Sequence, residues 1–339
     1  MRLTIVGAGA LGTLIAARLS HHGGDVTLME PSSARRERLG RGVVVRGFRR
    51  FDAPVTPPAV APSDLPDGTD AVILCVPARV AADVTRDLAA RTSSHPPLLS
   101  LVGGLVGLEL PTLWPGETVL GVTNLEVRSD RSGDPETGFH NFTWLGNLGA
   151  SETDAMRALQ HELAWLSPTL TTKVIAGMVW SKAVFELEAS LPVLAGAAPR
   201  AFYDDERHLD TAADLVREGI EVARAHGPMP IAFDFFDPNL VLAETPGEVG
   251  TRRAWMRHCW QRHEQFRVGA PAPFTEPAGL GALLDPSHPD AELATVVAQL
   301  RREGERGGVA TPRLDALDAW LRAAPGRPDV VTALEAAAP

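Results

Sequence analysis

Leu3-Thr4-Ile5-Val6-Gly7-Ala8-Gly9-Ala10-Leu11-Gly12, continuing into Thr13-Leu14-Ile15-Ala16-Ala17-Arg18-Leu19, is the stretch whose reading decides the fold. The first four residues form a short apolar run with a β-branched pair, which predicts a buried strand. The glycines follow at once, and the residues after Gly12 have helical character. A second strand is predicted at Asp25-Val26-Thr27-Leu28-Met29, ending on Glu30. Gly7 permits the tight turn, Gly9 leaves the backbone open to a pyrophosphate, and Gly12 lets the helix lie close against the strand. The free N–H groups and positive dipole at the helix N-terminus receive phosphate. A lone Gly-x-Gly-x-x-Gly is weak evidence and also fits a glycine-rich turn of another α/β protein. Here strand, loop, helix, strand and terminal acid come in the order a dinucleotide site requires. The expected cradle is therefore Gly7, Ala8, Gly9, Ala10, Leu11 and Gly12, with Glu30 on the adenosine ribose 2′-OH.

Beyond this unit the strand–helix alternation continues. A third strand is predicted at Val43-Val44-Val45 and a Pro-rich loop over Asp52 to Asp70. The nearly continuous apolar run Ala71 to Val76, stopped by Pro77, reads as a parallel strand covered on both faces. Further strands are expected at Pro97 to Val102, before Gly103, and at Thr118 to Thr123, before Asn124-Leu125. The fold class is α/β, a Rossmann-type doubly wound parallel sheet. Ligands in such sheets bind beyond the carboxyl ends of the strands. That places Val76, Pro77 and Gly103 beside the glycine turn as cofactor contacts, and the residues at 124–125 as a substrate contact. From about Ser151 the strand signal fades and helical patterns take over, among them Thr172 to Leu194, Thr211 to His226, Thr251 to Val268, Asp290 to Gly307 and Arg313 to Arg322. Gly269 to Pro289, with five prolines, reads as loop. The expected division is a dinucleotide-binding domain over residues 1–168 and an all-helical domain over 169–339.

Composition narrows the class of function. The chain has 339 residues, enough for two domains, and a formal net charge of -10. That balance argues against a nucleic-acid surface, which needs a basic patch. No uncharged run reaches the roughly 18 residues of a membrane span, and the glycine pattern sets Leu3 to Ala17 apart from a secretory leader. Two cysteines without metal spacing, Cys75 and Cys259, fit a reduced, cytoplasmic chain. No His-x-x-x-His or Cys-x-x-Cys occurs, so no metal site is expected.

Of 32 basic residues only Lys173 and Lys182 are lysines. Arginine cannot exchange a proton near neutral pH, so a lysine retained in an arginine-rich chain is a candidate for a position where arginine cannot substitute. Lys182, Glu186 and Ser190 fall four residues apart and share one stripe of an otherwise apolar helix. One reading makes them an ordinary surface ion pair and its neighbour, worth a few tenths of a kcal/mol. The other has the stripe face a nicotinamide across an interdomain crevice, with Lys182 donating a proton to a carbonyl oxygen as hydride reaches its carbon. Arg252, Arg253 or Arg262 would fit a substrate carboxylate, or form a solvated face.

These residues resemble the ketopantoate reductase (2-dehydropantoate 2-reductase) family. The likeness is carried by Gly7 to Gly12, Asp70 to Val76, Gly121-Val122-Thr123, Trp180-Ser181-Lys182-Ala183, Glu218 to Gly227 and Gly308-Val309-Ala310-Thr311-Pro312. It implies a Rossmann domain followed by a helical domain of the 6-phosphogluconate-dehydrogenase type, a nicotinamide cofactor, a small carbonyl substrate and a homodimer. It also implies Lys182 as the general acid and, about twenty residues before Pro312, Glu292 as the essential glutamate. The departures concern substrate. Glu186 and Ser190 replace two asparagines, Val102-Gly103 replaces Asn-Gly, and Pro77 replaces a lysine. Hydrogen-bonding sites reject analogues strongly, so these losses point away from ketopantoate itself. An arginine for the NADP 2′-phosphate is replaced by Pro31 behind Glu30, which favours NAD, although Ser32, Ser33, Arg35 and Arg36 would also make a phosphate pocket. The expected function is an NAD(P)-dependent oxidoreductase acting on a 2-oxo acid, a 2-hydroxy acid or a related carbonyl. An imine- or opine-type dehydrogenase acting on an amine, and a non-catalytic dinucleotide-binding regulator, are the alternatives.

Overall fold

The computed structural model describes the chain except residues 48–49, 63–64, 126, 131, 139–141, 228–229, 233–236, 243–245, 268–291, 324–328 and 338–339. It divides into two compact units, Met1–Ile175 and Ala176–Pro339. The first carries twelve strands among its described residues: β1 (Arg2–Val6), β2 (Asp25–Met29), β3 (Val43–Gly47), β4 (Phe51–Val55), β5 (Ala59–Val60), β6 (Ala71–Leu74), β7 (Leu98–Ser100), β8 (Thr118–Thr123), β9 (Val127–Ser129), β10 (Pro135–Thr137), β11 (Thr143–Gly146) and β12 (Thr169–Thr171).

Eight of them form one sheet in the order β12-β11-β8-β7-β6-β1-β2-β5. From β5 to β8 every pairing is parallel. In order along the chain these six strands lie 3-2-1-4-5-6, the arrangement of a dinucleotide-binding sheet. The two-residue period of the strands separates the two faces. Leu3, Ile5, Ala71 and Ile73 join one core with Leu14 and Ile15 of helix Ala10–His21 and Met156, Leu159 and Leu163 of helix Asp154–Leu163. Val6, Val72 and Leu74 join the other with Ala78, Ala81 and Leu88 of helix Ala78–Arg91. The sheet is doubly wound because both faces of its central strands are apolar.

Four sequence expectations are corrected here. Val43–Gly47 does not extend this sheet but lies in a second one, ordered β4-β3-β10-β9. The third parallel position belongs to Ala59–Val60, inside the Pro-rich stretch read as loop. Leu28 N–H donates to Pro58 O at 2.8 Å and Glu30 N–H to Val60 O at 3.0 Å, and two residues are too few to show a period. The run Ala71 to Val76 is strand only as far as Leu74. The first unit also continues past residue 168, because Thr169–Thr171 pairs with β11 in parallel.

In the second unit every described element is a helix: Ile175–Leu194 (its first residue in the preceding unit), Pro199–Asp204, Glu206–Ala225, Pro238–Val241, Pro246–Arg267, Glu292–Gly307, Pro312–Arg322 and Val330–Ala336. The mixed α/β class with an N-terminal parallel sheet and a helical C-terminal part is thus the architecture of the chain. The last helix, capped by the Asp329 carboxylate on Thr332 N–H at 3.0 Å, lies beyond the helices read from the sequence. The stretch Gly269 to Pro289 lies outside the described residues. The buried Glu218 carboxylate accepts Arg313 N–H at 3.0 Å and Leu314 N–H at 2.7 Å, capping the helix that starts at Pro312. Its role is therefore structural: it satisfies N–H groups a helix cannot satisfy itself. No described helix is long and apolar enough to cross a membrane.

Candidate functional site

In the first unit, the carboxyl ends of β2, β1, β6, β7 and β8 lie side by side in the parallel part of the sheet. Glu30, Gly7, Val76-Pro77, Gly103 and Asn124 follow these strands in turn, so the topology brings together along one edge what the sequence scatters over more than ninety residues.

The glycine turn has the geometry its residues require. Gly7 has φ +103° and its N–H donates to Met29 O at 3.0 Å. A Cβ there would lie 2.6 Å from Cys75 O and 3.0 Å from Val76 Cγ1. A Cβ on Gly12 would collide with Gly7 O and stand 3.3 Å from Cys75 Cβ, so the helix lies directly on the turn. Gly9 differs: it is exposed, and a Cβ there meets no protein atom within 4 Å. Gly9 caps helix Ala10–His21 without any side-chain bond. The first N–H groups of that helix have no partner within the helix, and Ala10 and Leu11 are half-buried at its start. Gly7 and Gly12 shape the turn, whereas Gly9 leaves open space beside it. These residues fit a dinucleotide pyrophosphate. The neighbouring Cys75 thiol is pushed up to about 12 by burial and is inert at neutral pH.

Glu30 is buried, 3% exposed. Its Oε1 accepts Ser32 N–H at 2.8 Å, and Oε2 lies 3.8 Å from the Arg35 guanidinium. Arg36 Nη1 donates to Glu30 O at 2.7 Å and Pro31 O at 2.8 Å. The acid and both arginines therefore lie at the end of β2, and the carboxylate is already shared with the chain. At 124–125 the polar member is Asn124, whose N–H donates to Phe142 O at 3.3 Å. Leu125 packs against the core and offers no polar side chain to a substrate.

In the second unit, Lys182 and Glu186 meet on helix Ile175–Leu194 as expected from their spacing. Lys182 Nζ is 3.8 Å from Glu186 Oε1, with side chains 22% and 29% exposed. Glu292, first residue of helix Glu292–Gly307, is close enough to act on the same carboxyl. Burial pushes Glu186 up to about 7, Lys182 pulls it down and Glu292 pushes it up. The tertiary fold thus brings Glu292 within electrostatic reach of Glu186 across more than a hundred residues of chain. Ser190 completes the stripe, but its Oγ donates to Glu186 O at 2.7 Å, so its proton is committed within the helix. Lys173, the other lysine, is exposed.

Arg252 and Arg253 are corrected as substrate forks. Arg252 Nη2 lies 3.2 Å from Asp210, and Arg253 bonds Asp210 at 2.9 Å and Glu206 at 2.6 Å. They fasten helix Pro246–Arg267 to helix Glu206–Ala225. The side chains of Cys259, Arg262 and His263 lie outside the described residues. Among the described residues no group of three or more His, Cys, Asp or Glu is placed to hold a metal.

Sequence reasoning missed Glu188, whose only signal is its place two residues beyond Glu186, on another face of the helix. It is 8% exposed; burial pushes it up to about 7, and a hydrogen bond with Tyr203 pulls it down. The folded chain keeps this proton up to about pH 7, while the unfolded chain releases it near 4.5. Between those values the folded state binds more protons, so stability falls as pH rises from about 4.5 to about 7 and then levels. Glu188→Gln is expected to remove its share of that fall, on the order of 1–3 kcal/mol. Urea midpoints of both proteins at pH 5 and pH 8 check this, and an unchanged difference between the two pH values would refute it.

Taken with the glycine turn, the sheet order is that of a dinucleotide-binding fold. Residues 3–149 match the family described as ketopantoate reductase PanE/ApbA. Over those residues, less than half of its length, the chain is similar to the ketopantoate reductase family. It is 24% identical over 249 residues to the 2-dehydropantoate 2-reductase of Pyrococcus horikoshii, covering 71% of this chain and 79% of that one. Among solved structures it is similar to D-mandelate dehydrogenase in a ternary structure with NADH and anilino(oxo)acetate. There the identity is 18%, the coverage 99% of both chains and the TM-score 0.74. A PanE/ApbA family ketopantoate reductase from Ralstonia eutropha JMP134 superposes with a TM-score of 0.73 at 17% identity, over 99% of this chain and 100% of that one. At these identities the structural likenesses bear on the fold.

Proposed function

We propose that this chain is an NAD(P)-dependent oxidoreductase acting between a small 2-oxo acid, or related carbonyl, and the corresponding alcohol, with Lys182 as general acid. The observation that carries the reading is Lys182 itself, half-buried 3.8 Å from Glu186 and one of only two lysines in an arginine-rich chain. When bound, the reduced dinucleotide supplies the hydride. The backbone of Gly7 to Gly12 holds its pyrophosphate at the N-terminus of helix Ala10–His21, with Val76, Pro77 and Gly103 along the same edge. Lys182 gives its Nζ proton to the carbonyl oxygen as the carbon is reduced, and recovers a proton from solvent.

We infer NAD over NADP, because the Glu30 carboxylate at the end of β2 repels a 2′-phosphate. Arg35 and Arg36 are the residues that would reverse this preference. A homodimer, as in the dimeric ketopantoate reductase of Staphylococcus aureus, is part of the proposal, and sedimentation equilibrium decides it.

The test is oxidation of NADH and NADPH in parallel, against 2-oxo acids that include ketopantoate. Turnover with NADH on an acid other than ketopantoate is expected. Efficient ketopantoate reduction would show that the substituted asparagines do not set substrate choice. Tight dinucleotide binding without turnover on any carbonyl, with or without amines, would overturn the reading.

A further inference from the structure

A chain of buried hydroxyls ends at the ligand edge of the sheet. Thr143 Oγ1 lies 2.8 Å from Ser167 Oγ and 3.1 Å from Thr123 Oγ1. Ser167 and Thr143 are fully buried and Thr123 is 6% exposed, so the chain meets solvent only at Thr123. Its direction is set by proton count. Thr143 donates its one proton to Thr123, so Ser167 is the donor to Thr143. Thr123 Oγ1 also accepts Leu125 N–H at 3.2 Å. Both lone pairs of that oxygen are then occupied, and its own proton has no acceptor among the described residues. Thr123 is thus committed to donating. Ser100 Oγ, at the end of β7, accepts Val102 N–H alone among the described residues and carries no such commitment. The next residue on the same face of β11 as Thr143 is Leu145, part of the apolar core with Met156 and Leu159. Valine would suit that face, and a buried hydroxyl is costly unless it is bonded. Bonded in series, the hydroxyls polarise one another and make the last proton a better donor.

Thr123 is the last residue of β8, in the half of the sheet formed by β6, β7 and β8. In a sheet of this order each half serves one nucleotide, and Glu30 ends β2 in the other half. The half that holds Thr123 is then the one for the nicotinamide nucleotide. Val76, Pro77 and Gly103, which follow β6 and β7, have no side-chain donor to offer it. The hydrogen-bonding group of the ring is its carboxamide, whose oxygen is an acceptor. We propose that Thr123 is a further cofactor-binding residue, its hydroxyl donating to the carboxamide oxygen and so fixing the rotation of the nicotinamide ring. This rests on the reading of the glycine turn as a dinucleotide site.

The experiment is calorimetry on the full chain with NADH, its thionicotinamide analogue and ADP-ribose, or their 2′-phosphorylated forms if those bind tighter. Sulfur is the weaker acceptor, and ADP-ribose keeps everything except the ring. Thr123→Val removes the hydroxyl at constant shape, and Thr123→Ser restores it. In the wild type NADH is expected to bind about tenfold more tightly than the thio analogue, a preference that Thr123→Val loses. Thr123→Val is expected to weaken NADH by about tenfold and leave ADP-ribose unchanged, with Thr123→Ser close to the wild type. Equal loss for NADH and ADP-ribose would mean that Thr123 only holds the turn at Asn124-Leu125, and overturns the proposal. NADH affinity that survives Thr123→Val overturns it too. So does a wild type that fails to distinguish NADH from its thio analogue, a result that needs no variant to fold. A wild type that binds ADP-ribose but fails one of these arms keeps its dinucleotide site and loses the role of Thr123. One that binds neither NADH nor ADP-ribose loses both.

Discussion

Lys182→Met is expected to lower kcat by about 10²–10⁴-fold, the usual contribution of one positioned general acid, while dinucleotide affinity and the far-ultraviolet circular dichroism stay those of the wild type. The glycine turn lies in the Met1–Ile175 unit and Lys182 in the Ala176–Pro339 unit, so losing the ammonium leaves every hydrogen bond of the turn intact. Methionine matches the length of the lysine stem and helix propensity changes little. The side chain is only partly buried and pairs with Glu186 at 3.8 Å, so its removal costs little stability. Transient kinetics on reduced dinucleotide separate a lost proton transfer from slow release of product. Turnover within threefold of wild type, with the fold intact, would show that Lys182 is a surface residue and that another group protonates the oxygen.

Gly12→Val and Gly9→Ala should split folding from binding at the turn. A Cβ at Gly12 collides with the Gly7 carbonyl oxygen, a backbone atom that cannot step aside. The helix must then lift from the strand, opening the core that Leu14 and Ile15 share with Leu3 and Ile5. Overpacking of this kind costs on the order of 3 kcal/mol, and dinucleotide binding should be lost with it. Gly9 has φ -68° and nothing within 4 Å of a Cβ, so Gly9→Ala is expected to fold like the wild type. The added methyl occupies the space above the helix N-terminus, and dinucleotide affinity should fall by tenfold or more, since the phosphates approach the backbone there. Urea denaturation and quenching of tryptophan emission by NADH measure the two effects. Unchanged affinity in Gly9→Ala would mean that the phosphates do not lie over Gly9.

The first thirty residues announced their own structure because every requirement in them is local. The strand is an apolar run, the turn needs glycine, and the helix follows at a fixed offset. Lys182 and Glu186 were legible for the same reason, since helical spacing alone places them on one stripe. Other parts of the site depend on distant chain, and no local pattern carries them. Glu30 is an acid at the right distance in the sequence, yet only the fold shows its carboxylate shared with Ser32 N–H and Arg35. Arg252 and Arg253 looked like anion forks until Asp210 and Glu206, over forty residues earlier, took up their guanidiniums. The two-residue strand Ala59–Val60 exists because the edge of β2 offers hydrogen bonds, not because those residues prefer extended backbone.

By itself, then, the sequence determined the glycine turn, the doubly wound sheet and the helical stripe that bears Lys182, since each follows from periodicity and from glycine's freedom at φ +103°. Only the tertiary structure decided which charges are already paired, because pairing and desolvation depend on groups that the chain brings together from far apart.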